Sequence, residues 1–318
     1  MGTPDYAAGI LEELIRSPYE VVAAFTQPDR PQGRKGTVVP PPVKELALAN
    51  GIPVYQPVRI RREKWVKLLQ EIQPDAMVVA AFGQILPASI LNIAPCLNVH
   101  ASLLPKYRGS SPIQQAIADG EAETGITIMR MDEGIDTGNI LLAETLPIEP
   151  DDTGETVFDK LVPLGRRLIR EALDRFAAGD PLTGTPQDGS AATYAPMLSR
   201  EDAKMDPQKS AHKLDCEVRA HTPWPGATLQ WGEKVLKIGK VRLVPEEDGS
   251  AEALSEGLRP GHILNREELS RLGKTSDRVI MVTGNGLLEL LKLQLPGKKM
   301  LDADAFLRGC PLLGETLE

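Results

Sequence analysis

Residues 96–109 read CLNVHASLLPKYRG, and residues 97–101 of this stretch predict a strand at the centre of the fold. Asn98 and His100 lie two positions apart in it, so their side chains leave the same face of the sheet. An amide and an imidazole therefore share one side of a strand whose other residues are apolar or small.

The segments around this strand alternate between apolar runs and amphipathic helices. Residues 76–82 (AMVVAAF) are apolar on both faces, which is typical of a central parallel strand covered by helices. Residues 61–72 predict a helix, and Ser111 with Pro112 supplies the cap and first-turn proline of a later one. This alternation predicts a doubly wound, Rossmann-like α/β domain.

The pattern changes after residue 120. Residues 124–131 and 139–146 predict two strands joined by the loop 132–138 (DEGIDTG), and residues 155–178 predict a long helix. Pro163 lies inside that helix, where it should kink or restart it.

The last third of the chain predicts a small β domain. Gly284-Asn285-Gly286 lies between two apolar runs and is a strong signal for a tight hairpin. Several short strands favour a small β-barrel or a sandwich, and a barrel of the oligonucleotide-binding (OB) type is the form that we expect. The strands are predicted near residues 228–231, 234–243, 262–264, 278–282 and 286–294.

These patterns predict three parts of the chain. A stretch rich in Pro, Gly, Thr and Ser lacks any clear period and is interpreted as a linker. The parts are a catalytic domain over residues 1–180, the linker over 181–203 and the β-barrel domain over 204–318.

The opening of the chain is unusual for a doubly wound domain. Residues 1–5 (MGTPD) predict a loop that leads into a helix, whereas such domains normally begin with a strand. We therefore expect the first strand to be missing, through truncation or a start assigned too far downstream, unless another segment fills its place.

Composition is that of an ordinary soluble globular protein, with 42% hydrophobic and 25% charged residues. No apolar run approaches the roughly 20 residues needed to cross a bilayer, and no secretory signal is visible. The three cysteines are widely spaced and favour reduced thiols, which predicts a cytoplasmic protein.

The net charge of −8 excludes the overall basicity that is typical of nucleic-acid-binding domains. Residues 1–203 carry the whole negative excess, and residues 204–318 are balanced. Any contact with nucleic acid must therefore come from local basic clusters, for which the candidates are residues 30–35, 234–242 and 298–299.

A third polar side chain completes a candidate catalytic group. Asp136 lies in the loop 132–138, and its carboxylate meets Asn98 and His100 if that segment folds back. Two polarising groups and one proton acceptor suit acyl transfer through an oxyanion. No serine or cysteine nucleophile is obvious here, which predicts that the substrate supplies the attacking group.

Each of these residues also has a structural explanation when it is taken alone: a turn cap for Asn98, a core histidine for His100, a tight turn for Asp136. Their combination favours catalysis. Cys96 lies four residues before His100, a spacing that also occurs in metal sites, but no second ligand pair supports it. The sequence therefore predicts no metal site.

Six segments together resemble the methionyl-tRNA formyltransferase family over nearly the whole chain. The Asn-x-His pattern and the later Asp are shared by related 10-formyltetrahydrofolate transferases, so they indicate only the reaction. Residues 26–31 and the C-terminal domain favour the tRNA enzyme. The segments are residues 2–5, 26–31, 98–105, 134–138, 223–225 and 296–299.

The resemblance implies transfer of a formyl group from 10-formyltetrahydrofolate to the α-amine of methionyl initiator tRNA, by a monomer without metal. Asn98 and His100 then donate hydrogen bonds to the oxyanion, and Asp136 accepts the proton of the attacking amine. The implied folate site is lined by Ser102, Leu103, Leu104, Pro105, Phe82, Gly83, Ile85 and Leu86. The implied tRNA contacts are Arg30, Arg34, Lys35, Lys298 and Lys299.

Two alternatives remain open at this point. The first is another folate-dependent formyltransferase that acts on a small amine, such as a sugar nucleotide or a purine precursor. The second is a non-catalytic RNA-binding protein whose α/β half has lost its chemistry.

Overall fold

A computed structural model describes residues 1–32, 36–245 and 257–318, which form two compact units. The units interleave along the chain, unlike the linear division at residues 180 and 204 that the sequence predicts. The first comprises Met1–Ile113, Ala122–Ile148 and Val157–Met197. The second comprises Gln114–Glu121, Glu149–Thr156 and Leu198–Glu318.

The helices follow the predicted pattern closely in the first half of the chain. The long helix continues through Pro163, so the predicted restart at this residue does not occur. In chain order the helices of the described residues are Asp5–Arg16 (α1), Pro42–Ala49 (α2), Glu63–Ile72 (α3), Ala88–Leu91 (α4), Pro112–Ala118 (α5), Gly154–Ala177 (α6), Ala211–Ala220 (α7), Arg266–Arg271 (α8) and Ala303–Leu307 (α9).

The strands of the first unit form a four-stranded mixed sheet and three two-stranded pairs. They are Ala24–Phe25 (β1), Arg30–Gln32 (β2), Thr37–Val39 (β3), Val54–Tyr55 (β4), Met77–Val79 (β5), Cys96–His100 (β6), Arg108–Gly109 (β7), Glu123–Arg130 (β8), Asn139–Pro147 (β9) and Tyr194–Ala195 (β10). The large sheet has the order β5-β6-β8-β9, in which only β5 and β6 are parallel. The pairs are β1 with β4, β2 with β3, and β7 with β10.

Strand β6 is buried along its whole length because it is paired on both sides. Its apolar residues Leu97 and Val99 are 0% and 2% exposed. Strand β8 runs antiparallel to it, with Asn98 opposite Met129 and His100 opposite Thr127. This pairing brings the loop after β8 back toward β6, as the sequence predicts.

Residues Met1 and Gly2 lie between β1 and β5 and are hydrogen-bonded to both. The Gly2 amide donates to the Phe25 carbonyl at 2.9 Å, and the Met1 amino group donates to the Val78 carbonyl at 2.6 Å. Beyond them lies a cavity of about 550 Å³ with a largely apolar lining from α1, β1 and β5. No other strand of the described residues occupies this place, and the cavity does not include the three candidate catalytic residues.

The buried Met1 amino group makes stability depend on pH in a chain that begins at this residue. Burial lowers the pKa of this amine from its ordinary value of 8.0 to about 6. Between pH 6 and 8 the unfolded chain therefore binds more protons than the folded one, so stability rises with pH across this window. We expect a gain of about 2.4 kcal/mol between pH 5.5 and 8.5 from this amine alone.

Urea unfolding at the two pH values measures that gain, and the same pair of experiments on Nα-acetylated protein removes the contribution of the amine. An identical pH dependence in the two forms would contradict the assignment.

The second unit is built on an antiparallel sheet with the order β11-β12-β14-β13, and β15 pairs with β14. As predicted, residues 283–286 join β13 and β14 in a hairpin. The described strands form an open sheet, so the predicted closed barrel is not confirmed. The strands are Ala227–Trp231 (β11), Lys234–Leu243 (β12), Ile280–Val282 (β13), Leu287–Gln294 (β14) and Leu301–Asp302 (β15).

The register of β12 explains its sequence. Leu236 and Ile238 point into the core, and Val241 does so only because the pairing with β14 shifts between residues 238 and 241. The predicted strand over residues 262–264 is wrong: His262 and Ile263 form only isolated bridges.

Two features are not found among residues 1–32, 36–245 and 257–318. No helix there is long and apolar enough to cross a membrane. Nor do these residues contain a cluster of metal-binding side chains.

Candidate active site

Asn98 and His100 lie on the central strand β6 and are buried, with 8% and 5% of each residue's surface exposed. Such burial is unusual for an amide and an imidazole unless both are hydrogen-bonded. Their partners come from two other segments, the loop between β8 and β9 and the residues around β7.

The Asp136 carboxylate is the point at which these groups meet. Asn98 Nδ2 donates to Asp136 Oδ1 at 3.2 Å, and the Gly109 amide donates to Asp136 Oδ2 at 2.8 Å. His100 Nδ1 lies 3.8 Å from Asp136 Oδ2. The structure thus brings together the three side chains that the sequence singles out.

The orientation of the His100 ring follows from its second contact. His100 Nε2 lies 2.9 Å from the Tyr107 carbonyl oxygen. A carbonyl only accepts, so Nε2 carries a hydrogen and Nδ1 is the ring nitrogen that faces Asp136. Asn98 Nδ2 also has a second hydrogen available for another acceptor.

Asp136 has a φ of +53°, a left-handed backbone conformation that is uncommon outside glycine. Within its loop, Asp132 Oδ1 accepts hydrogen bonds from the Gly134 amide at 3.0 Å and from Thr137 Oγ1 at 2.5 Å. The turn is therefore organised by a carboxylate other than the candidate catalytic one.

Gly109 is required by close backbone packing. Its φ is +118°, and a Cβ at this position would lie 2.5 Å from the Ala195 carbonyl oxygen. Only glycine lets β7 lie beside β10 while its amide reaches Asp136.

Sequence reasoning missed two polar side chains of this site, Arg108 and Gln187. Arg108 precedes Gly109 and is 6% exposed, and Gln187 lies in the predicted linker. Gln187 donates to two carbonyls of the Asp136 loop. An isolated glutamine in an irregular stretch carries no sequence signal for such a contact.

The residues predicted to line a folate site divide into buried and accessible ones. Leu103 and Pro105 are partly exposed, Gly83 is exposed, and Ile85 is 72% exposed. The buried ones are Ser102, Leu104, Phe82 and Leu86. The side chains of this second set support the loops from inside and do not offer a surface to a ligand.

The inner side of the loop after β6 is held by a short chain of hydrogen bonds. Thr127 Oγ1 donates to the Ser102 carbonyl at 2.7 Å and accepts from the Leu104 amide at 3.1 Å. Gln27 Nε2 similarly donates to the Phe82 carbonyl at 3.1 Å in the neighbouring loop. The two loops are therefore anchored through their backbones.

The predicted basic contacts lie on exposed turns and strands. Arg30 is exposed on β2, and Lys298 and Lys299 are exposed in the turn between β14 and β15. Arg34 and Lys35 lie outside the described residues.

Cys96 is the residue whose spacing from His100 also occurs in metal sites. It is buried at the start of β6, and burial raises the pKa of its thiol to about 11. The thiolate, which is the reactive and metal-binding form, is therefore scarce at neutral pH.

Comparison with protein families gives two matches that together span most of the chain. Residues 1–173 match the family described as Formyl transferase. Residues 197–311 match the family described as Formyl transferase, C-terminal domain.

Full-length relatives are similar over both parts. The chain is 45% identical to the methionyl-tRNA formyltransferase of Marinobacter nauticus over 312 residues, which are 97% of this chain and 94% of that protein. It is 44% identical to the methionyl-tRNA formyltransferase of Geobacter metallireducens over 314 residues, 98% of this chain and 95% of that protein.

Two solved structures share the fold. WlaRD, a sugar 3N-formyl transferase crystallised with dTDP and 5-N-formyl-THF, matches with a TM-score of 0.65 at 19% identity, over 94% of this chain and 97% of that one. The N-formyltransferase of Helicobacter canadensis in complex with folinic acid and dTDP-3-aminofucose matches with a TM-score of 0.63 at 18% identity, over 91% and 96%. At these identities the similarity shows the fold alone.

Proposed function

This chain belongs to the formyl transferase family, and we infer from that membership that it is a methionyl-tRNA formyltransferase. It transfers the formyl group of 10-formyltetrahydrofolate to the α-amine of methionyl initiator tRNA for translation initiation. The observation that carries this conclusion is the similarity, over at least 94% of both chains, to relatives named for that activity.

The site geometry supports a route for this transfer. The neutral amine attacks the formyl carbon, a C–N bond forms, and the former carbonyl oxygen becomes negative. Asn98 Nδ2 has a hydrogen to donate to that oxygen, and His100 can donate one from Nδ1 in its imidazolium form, in which both ring nitrogens carry hydrogen. Preorganised donors of this kind are worth about 2.7–4 kcal/mol each.

Asp136 then accepts a proton from the attacking nitrogen, directly or through a water. When the bond from the carbon to the donor nitrogen of the folate breaks, that nitrogen takes up a proton, so charge balances over the cycle. The donor is held by the exposed surface of Leu103, Pro105, Gly83 and Ile85, and the buried residues Ser102, Leu104, Phe82 and Leu86 support these loops.

The tRNA contacts that we propose are cationic. Arg30, Lys298 and Lys299 are exposed, and Arg34 and Lys35 join them on the strength of the family resemblance. In addition, Lys240 and Lys292 are exposed and lie directly opposite each other on β12 and β14. Lys240 Nζ also lies 3.7 Å from Asp151 Oδ1, and both lysines are accessible to an anionic partner such as a phosphate backbone.

Three further attributes belong to the same proposal. The second unit serves as a tRNA-binding domain of the OB type, the protein acts as a monomer, and it works in the cytoplasm. They rest on the family resemblance and on the position of the basic residues.

The experiment that tests the function is formylation of methionyl initiator tRNA by purified protein with 10-formyltetrahydrofolate. An amino-sugar nucleotide in the same assay tests the small-amine alternative. Formylation of the tRNA alone supports the proposal, and formylation of only the sugar nucleotide, or of neither acceptor, overturns it.

Replacement of Lys298 and Lys299 together by alanine is expected to raise KM for tRNA and leave kcat unchanged, because these exposed side chains act on binding through their charge. Loss of two phosphate contacts should make the slope of log affinity against log salt shallower by about 1.4–1.8. Filter binding over a salt series measures this slope.

The control is Lys67→Ala, which removes an exposed lysine from α3. An unchanged slope in the double variant would contradict the proposed contact of Lys298 and Lys299 with the tRNA.

A further inference from the structure

Gln187 makes four hydrogen bonds with its side-chain amide, and all of them lie within the first unit. Its Nε2 donates to the Asp136 carbonyl at 2.9 Å and to the Gly138 carbonyl at 2.7 Å. Its Oε1 accepts from Arg108 Nε at 3.2 Å and from Arg108 Nη2 at 2.8 Å. Both amide hydrogens and the oxygen are thus engaged, which fixes the orientation of the group.

These contacts join the two backbone segments that hold the Asp136 carboxylate. One segment is residues 136–138, whose carbonyls Gln187 binds. The other is residues 108–109, because the Arg108 side chain is bound to Gln187 and the next amide, that of Gly109, donates to Asp136 Oδ2 at 2.8 Å. A closed ring of hydrogen bonds and backbone therefore runs from Asp136 through Gln187, Arg108 and Gly109 back to the same residue.

The ring matters because the Asp136 conformation needs support. A non-glycine residue at a φ of +53° costs about 1–3 kcal/mol and persists only where its surroundings impose it. Contacts to the carbonyls of residues 136 and 138 fix the peptide that directly follows Asp136 and a second one two residues further on. The direction of the carboxylate toward Asn98 and His100 follows from it.

We propose that Gln187 is a positioning residue for formyl transfer, acting through Asp136 without touching a reacting atom. This inference rests on the proposed function for its catalytic readout. Gln187 lies in a segment that the sequence predicts to be a linker. Residues 185–195 of this segment return to the site, where Thr185 pairs with Ile140 and β10 pairs with β7.

Gln187→Glu is the most discriminating variant. The glutamate keeps the shape of the side chain and its acceptor for Arg108, but it replaces the two N–H donors by an oxygen that faces two carbonyls. We expect kcat to fall about 10²-fold, the loss that misplacement of a catalytic group by about 1 Å produces. KM for both substrates should stay within about threefold, because no substrate contact is removed.

A double-mutant cycle tests that the effect passes through Asp136. In the Asp136→Asn background, Gln187→Glu should cost less than about threefold in kcat, since the group that it positions is already lost. An additive 10²-fold loss there would overturn the inference. Gln70→Glu makes the same change on the exposed face of α3 and should leave kcat unchanged.

A readout independent of activity separates this inference from the proposed function. Hydrogen exchange of the Gly109 amide should be at least about tenfold faster in Gln187→Glu, because the ring that holds its acceptor is broken. If the glutamate variant is poorly folded, Gln187→Ala replaces it in this experiment, because it introduces no charge. It should show the same acceleration. Unchanged protection of Gly109 in a folded variant overturns the positioning role, whereas a wild-type protein that formylates no methionyl-tRNA overturns the proposed function alone.

Discussion

Asp136→Asn is expected to lower kcat for formylation by about 10²–10⁴-fold, the range that general base catalysis commonly contributes. Asparagine is nearly isosteric with aspartate but cannot take up a proton at neutral pH. Its amide also places an N–H group against either the Gly109 amide or Asn98 Nδ2, both of which are donors in the present arrangement. One hydrogen bond of the site is thereby lost together with the base.

The affinity for methionyl-tRNA should change little in this variant, since Asp136 is partly buried and its carboxylate contacts Asn98, His100 and the Gly109 amide of its own chain. Single-turnover formylation at saturating substrates measures the chemical step, and equilibrium binding of the tRNA measures the affinity. Glu133→Gln neutralises an exposed carboxylate in the same loop and is the matched control. A similar kcat in Asp136→Asn and wild type would contradict a catalytic role for Asp136.

Asn98→Ala is expected to lower kcat by about 10²–10³-fold, the effect of removing one oxyanion donor. The side chain is buried on the central strand, and its second Nδ2 hydrogen is the one available to the developing charge. Truncation also removes the contact to Asp136 Oδ1, so the carboxylate gains freedom as the donor is lost.

The Asn98 variant should bind folate with nearly wild-type affinity, because the donor acts mainly on the charge that develops in the transition state. Fluorescence titration with a tetrahydrofolate analogue measures this affinity beside the single-turnover rate. Asn92→Ala removes an exposed asparagine at the end of α4 and should change neither quantity. A loss confined to folate binding would contradict an oxyanion role for Asn98.

The catalytic strand and its neighbours could be predicted because local pattern and burial agree there. Residues 97–101 and 76–82 are short apolar runs, and the structure has β6 at Cys96–His100 and β5 at Met77–Val79. Asn98 and His100 interrupt the apolar pattern on one face, so they stand out against it. The hairpin at residues 283–286 was equally predictable, because Gly286, with a φ of +84°, supplies the backbone freedom that a tight turn needs.

Other features depended on contacts that no local pattern encodes. The Gln187 ring joins residues about fifty and eighty positions apart along the chain, and nothing in the irregular stretch around residue 187 distinguishes it. Closure of the C-terminal sheet likewise depends on which strands meet, which spacing alone does not determine. Helix α8 was predictable but missed: Asn265 and Glu268 form a capping box three residues apart.

The cavity beside Met1 and Gly2 has a consequence for how this protein behaves at high concentration. Within the described residues, no strand pairs with the facing edges of β1 and β5, where Met1 and Gly2 supply hydrogen bonds to Phe25 and Val78. These edges become exposed when the opening segment detaches, and an exposed strand edge recruits extended polypeptide, including other copies of the same protein. Intermolecular β-sheet growth is therefore the route by which we expect this fold to aggregate.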